Sequence, residues 1–138
     1  MALTAAIDRE FVGVQDIISP IVAASDIYYK GAILIYDANG YAAVPTDTAS
    51  LYPAGIVTGV YEGGVKDDAY SAATAVRAEL KRGKVWIPFS GAAQSDVGEL
   101  FYISDDATLT QTAGSKSIAI VALDFKTGYL LFDLRVTA

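Results

Sequence analysis

The chain has 138 residues, 53% of them apolar, with no cysteine, no histidine and a formal net charge of −6. That length suits one domain with its own core, and the two absent residue types exclude disulfides, thiolate or imidazole metal sites, cysteine nucleophiles and any triad built on histidine. The acidity repels a phosphate backbone and no run approaches the roughly 20 apolar residues of a membrane helix, so a soluble protein with neither direct nucleic-acid binding nor a membrane is expected.

The opening MALTAAIDREF carries Asp8, Arg9 and Glu10 where a secretory signal would continue its apolar core, so no export signal is expected. Residues 1–25 keep no clean period, and Pro20 would interrupt a central strand or helix. They are read as an extended arm, with residues 26–138 as a single domain. Strand signals then follow in AILIY (32–36), AGIVTGVY (54–61), VWIPF (85–89), LFYIS (100–104), SIAIVALDF (117–125) and YLLFDLRV (129–136). Each is a short run rich in Ile, Val, Tyr and Phe bounded by turn residues, and their spacing predicts an all-β fold, a small antiparallel β-barrel or β-sandwich.

Between these runs the turn chemistry is explicit. DANG (37–40) predicts a hairpin joining AILIY to YAAV, and Lys126, Thr127 and Gly128 predict another between the last two strands. GGVKDDAYSAAT (63–74) has no clear period and reads as an exposed loop with at most one helical turn, the segment expected to move most. In AVRAELKR (75–82) the residues favour helix, yet Val76, Ala78 and Leu80 alternate with Arg77, Glu79 and Lys81, which is the period of a half-buried strand. After Gly83 the apolar residues move to odd positions, Val85, Ile87 and Phe89, so a turn or glycine bulge is expected at KRGK. A loose internal repeat also emerges. KGAILIYDANGYAAV (30–44) matches VGELFYISDDATLTQ (97–111) with Gly31 opposite Gly98, and AGIVTGVYEGG follows the first as AIVALDFKTG follows the second. The repeat predicts two similar β-units packed together.

Candidate chemistry is sparse. AGIVTGVYEGG (54–64) has the glycine spacing of a phosphate loop from Gly59 to Gly64, but Val65 and Lys66 follow where Lys and Ser or Thr are required, and no Gly-x-Gly occurs. It reads as a strand and its exit turn, with Gly55 and Gly59 permitting a bulge, a bend or close packing of another backbone. The carboxylate pairs Asp67-Asp68 and Asp105-Asp106 are neighbours on turns, not acids converging on a cleft. Asp37 and Asn39 begin like a calcium loop, but Thr48 stands where the closing Glu belongs. No enzyme, cofactor or metal site is therefore expected. Arg77, Lys81, Arg82 and Lys84 fall in one short span and read either as the solvent face of a strand or as a contact with an acidic partner or neighbouring subunit. Trp86 suits core or interface equally, and Tyr28, Tyr29, Tyr36 and Tyr41 suit a barrel wall or a protein contact surface.

The pieces LTAAIDREF (3–11), YKGAIL (29–34), PAGIVTGV (53–60), RGKVWIP (82–88) and AQSDVGELFYISDD (93–106), in that order, resemble a family of small tailed-phage and prophage structural proteins, the capsid decoration, cement or head-fibre proteins. The resemblance implies a β-tulip-like barrel and a late virion protein, made in the host cytoplasm. It would bind the major capsid protein on the outer surface of the assembled head, as a homotrimer, and reinforce the shell. On that reading Ile7, Phe11 and Val12 of the arm would add to an exposed sheet edge of the capsid or of a neighbouring subunit. Arg77, Lys81, Arg82, Lys84 and Trp86 form the second set of candidate contacts. Three alternatives remain open at this stage: a carbohydrate- or receptor-binding module stacking its ligand on exposed tyrosines and Trp86, another head or tail protein forming rings or tubes, and, less favoured, a carboxylate-dependent hydrolase.

Overall fold

The computed structural model describes residue 3 and residues 6–22, 27–45, 52–62, 65–67, 69–71, 76–111 and 117–135. Their regular structure is all strand apart from one 3-10 turn, Gln94–Asp96. The strands are β1 (Phe11–Ile18), β2 (Ile21–Val22), β3 (Ile27–Tyr29), β4 (Ile33–Tyr36), β5 (Ala42–Ala43), β6 (Pro53–Glu62) and β7 (Val65–Asp67). They continue with β8 (Ala69–Ser71), β9 (Val76–Pro88), β10 (Leu100–Ile103), β11 (Leu109–Thr110), β12 (Ser117–Val121), β13 (Asp124–Lys126) and β14 (Tyr129–Asp133).

Pairing runs β9–β2–β5–β4–β6 and returns to β9, which closes a five-stranded barrel. Four of its joints are antiparallel, as expected, and the β2–β5 joint is parallel. Closure removes the unpaired edges that an open sheet of this size would expose. Every stave sends a side chain inward: Val22, Leu34, Ala42, Val57, Ala78 and Leu80 meet with Ala32, Ala54 and Tyr28 in one cluster, none more than 1% exposed. So few strands enclose little space, which is why alanine recurs in the lining.

A second core lies outside the barrel wall. Ile33, Ile35 and Ile56 point away from the barrel interior and pack with Val85, Ile87, Phe101, Ile103, Leu130 and Phe132. The rings of Phe89 and Phe101, and of Phe101 and Phe132, meet edge to face at 5.0 and 5.6 Å. Strand β4 is thus covered on both faces, and its sequence is apolar without alternation for that reason.

Strand β9 serves both cores and corrects one expectation. Residues 76–88 form a single strand with no turn or bulge at KRGK. Ala78 and Leu80 face the barrel while Val85 and Ile87 face the second core, and in an uninterrupted strand even and odd positions lie on opposite faces. The shift in apolar parity therefore marks a change in which face is covered. The irregularity sits in the partners: β1 takes three residues between Val12 and Asp16 where β9 takes only Gly83 between Lys84 and Arg82. A Cβ on Gly83 would lie 3.0 Å from Gln15 Cγ and 3.1 Å from the Val14 carbonyl oxygen, so the missing side chain makes room for that bulge.

The internal repeat survives at the level of single hydrogen bonds. Gly31 N–H donates to the Val57 carbonyl (2.7 Å) and Val57 N–H to that of Ala32 (3.0 Å); Gly98 donates to Ala122 (2.8 Å) and Ala122 to Glu99 (3.1 Å) in the same way. Asp37 N–H reaches the Tyr41 carbonyl as Ser104 N–H reaches that of Thr108. The strand orders β5–β4–β6 and β11–β10–β12 match, including the cross-strand pairs Ile35–Ala43 with Tyr102–Thr110 and Ile33–Ile56 with Leu100–Val121.

Two loop expectations are corrected. Within the segment read as a periodless loop, Val65–Asp67 pairs with β6 and Ala69–Ser71 pairs with β3, because short strands carry too few residues to display a period; residues 63, 64, 68 and 72–74 lie outside the described residues. The last hairpin turns on Thr127 and Gly128 alone, with Lys126 paired to Tyr129. DANG closes the β4–β5 hairpin as expected, with Asp37 Oδ1 accepting from the N–H groups of Asn39 (2.8 Å) and Tyr41 (2.9 Å). Residues 11–22, placed in the expected arm, lie along β9 within this one chain, with the break between β1 and β2 at Ser19 and Pro20.

Candidate functional site

Residues 6–10 carry the polar triplet Asp8, Arg9 and Glu10 and precede β1 as an extended strap across the body. Ile7 N–H donates to the Lys30 carbonyl (2.9 Å). The contact is so close that a Cβ on Gly31 would stand 2.5 Å from both the Ile7 carbonyl oxygen and its Cγ1. Arg9 Nε donates to the Gly31 carbonyl (2.9 Å), and the Glu10 carbonyl accepts the Trp86 N–H (3.0 Å). Lys126 Nζ donates to both Glu10 carboxylate oxygens at 3.2 and 3.1 Å. Earlier in the chain, Leu3 N–H donates to Asp106 Oδ1 (2.8 Å).

The electrostatics follow from this packing. Burial lowers the Arg9 pKa from its ordinary value, with Asp106 and Tyr129 opposing the shift, and its buried Nη2 has no hydrogen-bond partner among the described residues. Burial likewise raises the Asp106 carboxyl above the ordinary aspartate range; the Leu3 N–H opposes the rise and Asp105 adds to it. At the chain's other end, hydrogen bonds from Arg135 hold the Asp133 carboxyl below that range.

The strap separates two clefts. One, of about 370 Å³, lies between residues 7–10 and the outer face of the β9–β14 ribbon, where Trp86, Pro88, Lys126 and Tyr129 form the wall. The other, of about 280 Å³, has Arg9, Lys30 and Lys81 around Thr58 and Gly31. Asp8 pairs with Lys30 at 3.0 Å on the divide.

The candidate contact residues are distributed as follows. Ile7 borders both clefts. Phe11 packs on the second core with Lys81 Nζ 5.5 Å from its ring centroid, and Val12 is partly exposed on β1. The four basic residues do not form one patch, since alternation along β9 sends Arg77 and Lys81 to one face and Arg82 and Lys84 to the other. Arg77 donates to the Ser19 carbonyl (2.7 Å), and Arg82 reaches the Arg135 carbonyl at 3.4 Å. Trp86 belongs to neither core and walls the larger cleft. The tyrosines separate too: Tyr28 is buried in the barrel while Tyr41 is exposed. The sequence gives Glu10, Lys126 and Tyr129 no role in a site, and no local pattern joins positions 116 residues apart. Among the described residues no group of three or more acids is arranged to hold a metal ion, and no helix is long and apolar enough to cross a membrane.

The architecture defines a class, a closed five-stranded barrel whose long strand β9 also carries the β14–β13 ribbon, with a separate three-stranded sheet, β11–β10–β12, packed against it through the second core. No protein-family model matches the sequence, and no curated protein is detectably similar to it. Among solved structures, a chain from the capsid of Myoviridae phage XM1 shares the fold with a TM-score of 0.58, covering 96% of this chain and 90% of that one at 19% identity.

Proposed function

We propose that this protein is a structural component of a tailed-phage head, a decoration or cement protein that binds the major capsid protein on the outer surface of the shell as a homotrimer. The observation that carries the reading is the whole-length likeness to a chain of the XM1 capsid, which leaves little of either molecule unmatched. The resemblance of its ordered sequence pieces to those of phage decoration proteins also favours this reading. The described residues add an N-terminal segment suited to such work. The strap is held mainly by backbone bonds and exposed ion pairs, and β1 shows Val14 and Ile17 at 76% and 61% exposure along a strand paired only with β9 among the described strands. A neighbouring chain could pair along that edge through its main chain, with little demand on sequence.

Mixing the purified protein with undecorated heads and imaging them by electron microscopy tests the reading. Density at three-fold or quasi-three-fold positions, with a trimeric mass in solution, is expected. Heads that stay bare, or rings and tubes of the protein alone, would overturn it. A chain lacking residues 1–9, with its fold verified by thermal denaturation, should lose most of its binding to heads if the strap makes the contact.

A further inference from the structure

The cleft between the strap and the β9–β14 ribbon contains a surface that folding leaves unused. Trp86 and Tyr129 stand on neighbouring strands, where Trp86 pairs with Leu131 and Tyr129 with Pro88. Neither aromatic belongs to a core. Both rings lie close to the same ammonium, with Lys126 Nζ 4.6 Å from the Trp86 ring centroid and 5.1 Å from that of Tyr129, so the rings form one continuous wall. Flat, stiff side chains of this kind offer apolar area that loses little conformational freedom on binding. The opposite side is polar, with Asp8, Arg9 and Glu10 on the strap. Two acids and two bases border the cleft, so its formal charges balance in a chain whose net charge is −6. The volume of about 370 Å³ falls in the range of small-ligand sites.

We propose that this cleft binds a neutral saccharide, its ring faces stacked on Trp86 and Tyr129 and its hydroxyls held by Asp8 and Glu10. An aromatic wall opposite a rim of mixed charge suits a molecule with apolar C–H faces and many hydroxyls, and a balanced rim gives no preference to an anion or a cation. Lys126 covers both rings in this structure. Its side chain is 41% exposed and its partner Glu10 62% exposed, so its contacts are weakly held and the lysine can swing aside. The site does not depend on the head-binding role, since capsid binding through the strap or β1 edge could fail with the cleft intact.

Trp86 is the single tryptophan of the chain, so its fluorescence reports directly on the cleft. Titration of the full-length protein with maltohexaose and N-acetylchitotetraose, alongside an array of bacterial-surface glycans, should give at least one saccharide with a saturable change in emission. Tyr129→Ala should weaken that saccharide about tenfold while keeping the native thermal transition. Glu10→Gln, which keeps the shape of the rim, should also weaken it and guards against a folding defect in the first variant. A response to tetramethylammonium but to no saccharide would make the cleft a cation cage and overturn the proposal. So would a blank array with no change in emission, or undiminished saccharide binding by both variants.

Discussion

Gly31 and Gly98 hold equivalent places in the repeat and show how much one side chain can depend on what passes over it. Both have positive φ, +91° and +87°, where a Cβ is strained. Beyond that strain, a Cβ on Gly31 would run into the Ile7 backbone, whereas one on Gly98 meets nothing within 4 Å. Gly98→Ala should therefore cost about 1–2 kcal/mol from backbone strain alone, and Gly31→Ala clearly more, with the strap displaced. Urea denaturation of the two variants measures the difference, and proteolysis within residues 1–10 reports the strap. Asp106 carries the second expectation at this scale. Its carboxyl binds a proton more tightly folded than unfolded, so its contribution to stability is largest when protonated and falls as pH rises from the unfolded value through the raised folded one. Asp106→Asn keeps an acceptor for the Leu3 N–H and removes the buried charge. The variant should be more stable than the native chain at neutral pH, with the gap closing towards about pH 4. Asp133 runs the opposite way: its depressed folded value gives stability that is present above the unfolded pKa and lost as pH falls below it.

At the scale of elements, the two three-stranded units have one register and different surroundings. Ile33 and Ile56 of the first unit are buried in the second core, while their equivalents Leu100 and Val121 are 48% and 42% exposed. Ile33→Ala should cost about 2–5 kcal/mol, as for other buried aliphatics. Leu100→Ala should stay within about 1 kcal/mol, since half of its side chain never leaves water. Equal losses in chemical denaturation would mean that the outer face of the second unit is covered in solution. The repeat was legible in sequence because register depends on local devices: the glycine before the strand, the acidic turn after it and the alternation between. The strands at Val65–Asp67 and Ala69–Ser71 were not legible, because pairs of three residues are chosen by the neighbouring strand and not by their own composition.

For the whole molecule, β9 is the element on which cooperativity turns. It contributes Ala78 and Leu80 to the barrel and Val85 and Ile87 to the second core, so neither core persists without it. Unfolding should be a single transition despite two clusters of buried side chains. Leu80→Ala and Ile87→Ala should each move that one transition, seen alike by far-ultraviolet circular dichroism and by Trp86 fluorescence. Two separated transitions would mean that the barrel and the outer unit fold independently.

The sequence by itself determined the strand class, the hairpin at DANG, the repeat, and the absence of histidine and cysteine chemistry, because each follows from residue type and short-range spacing. It also carried the parity change in β9, though not its meaning. Only the tertiary structure decided that this change marks two cores on opposite faces, that the basic span is divided between those faces, and that Glu10, Trp86, Lys126 and Tyr129 meet in one cleft. The physical reason is common to all three. Local periodicity records which positions alternate, but which face is covered, and by what, depends on pairings between residues far apart in the chain.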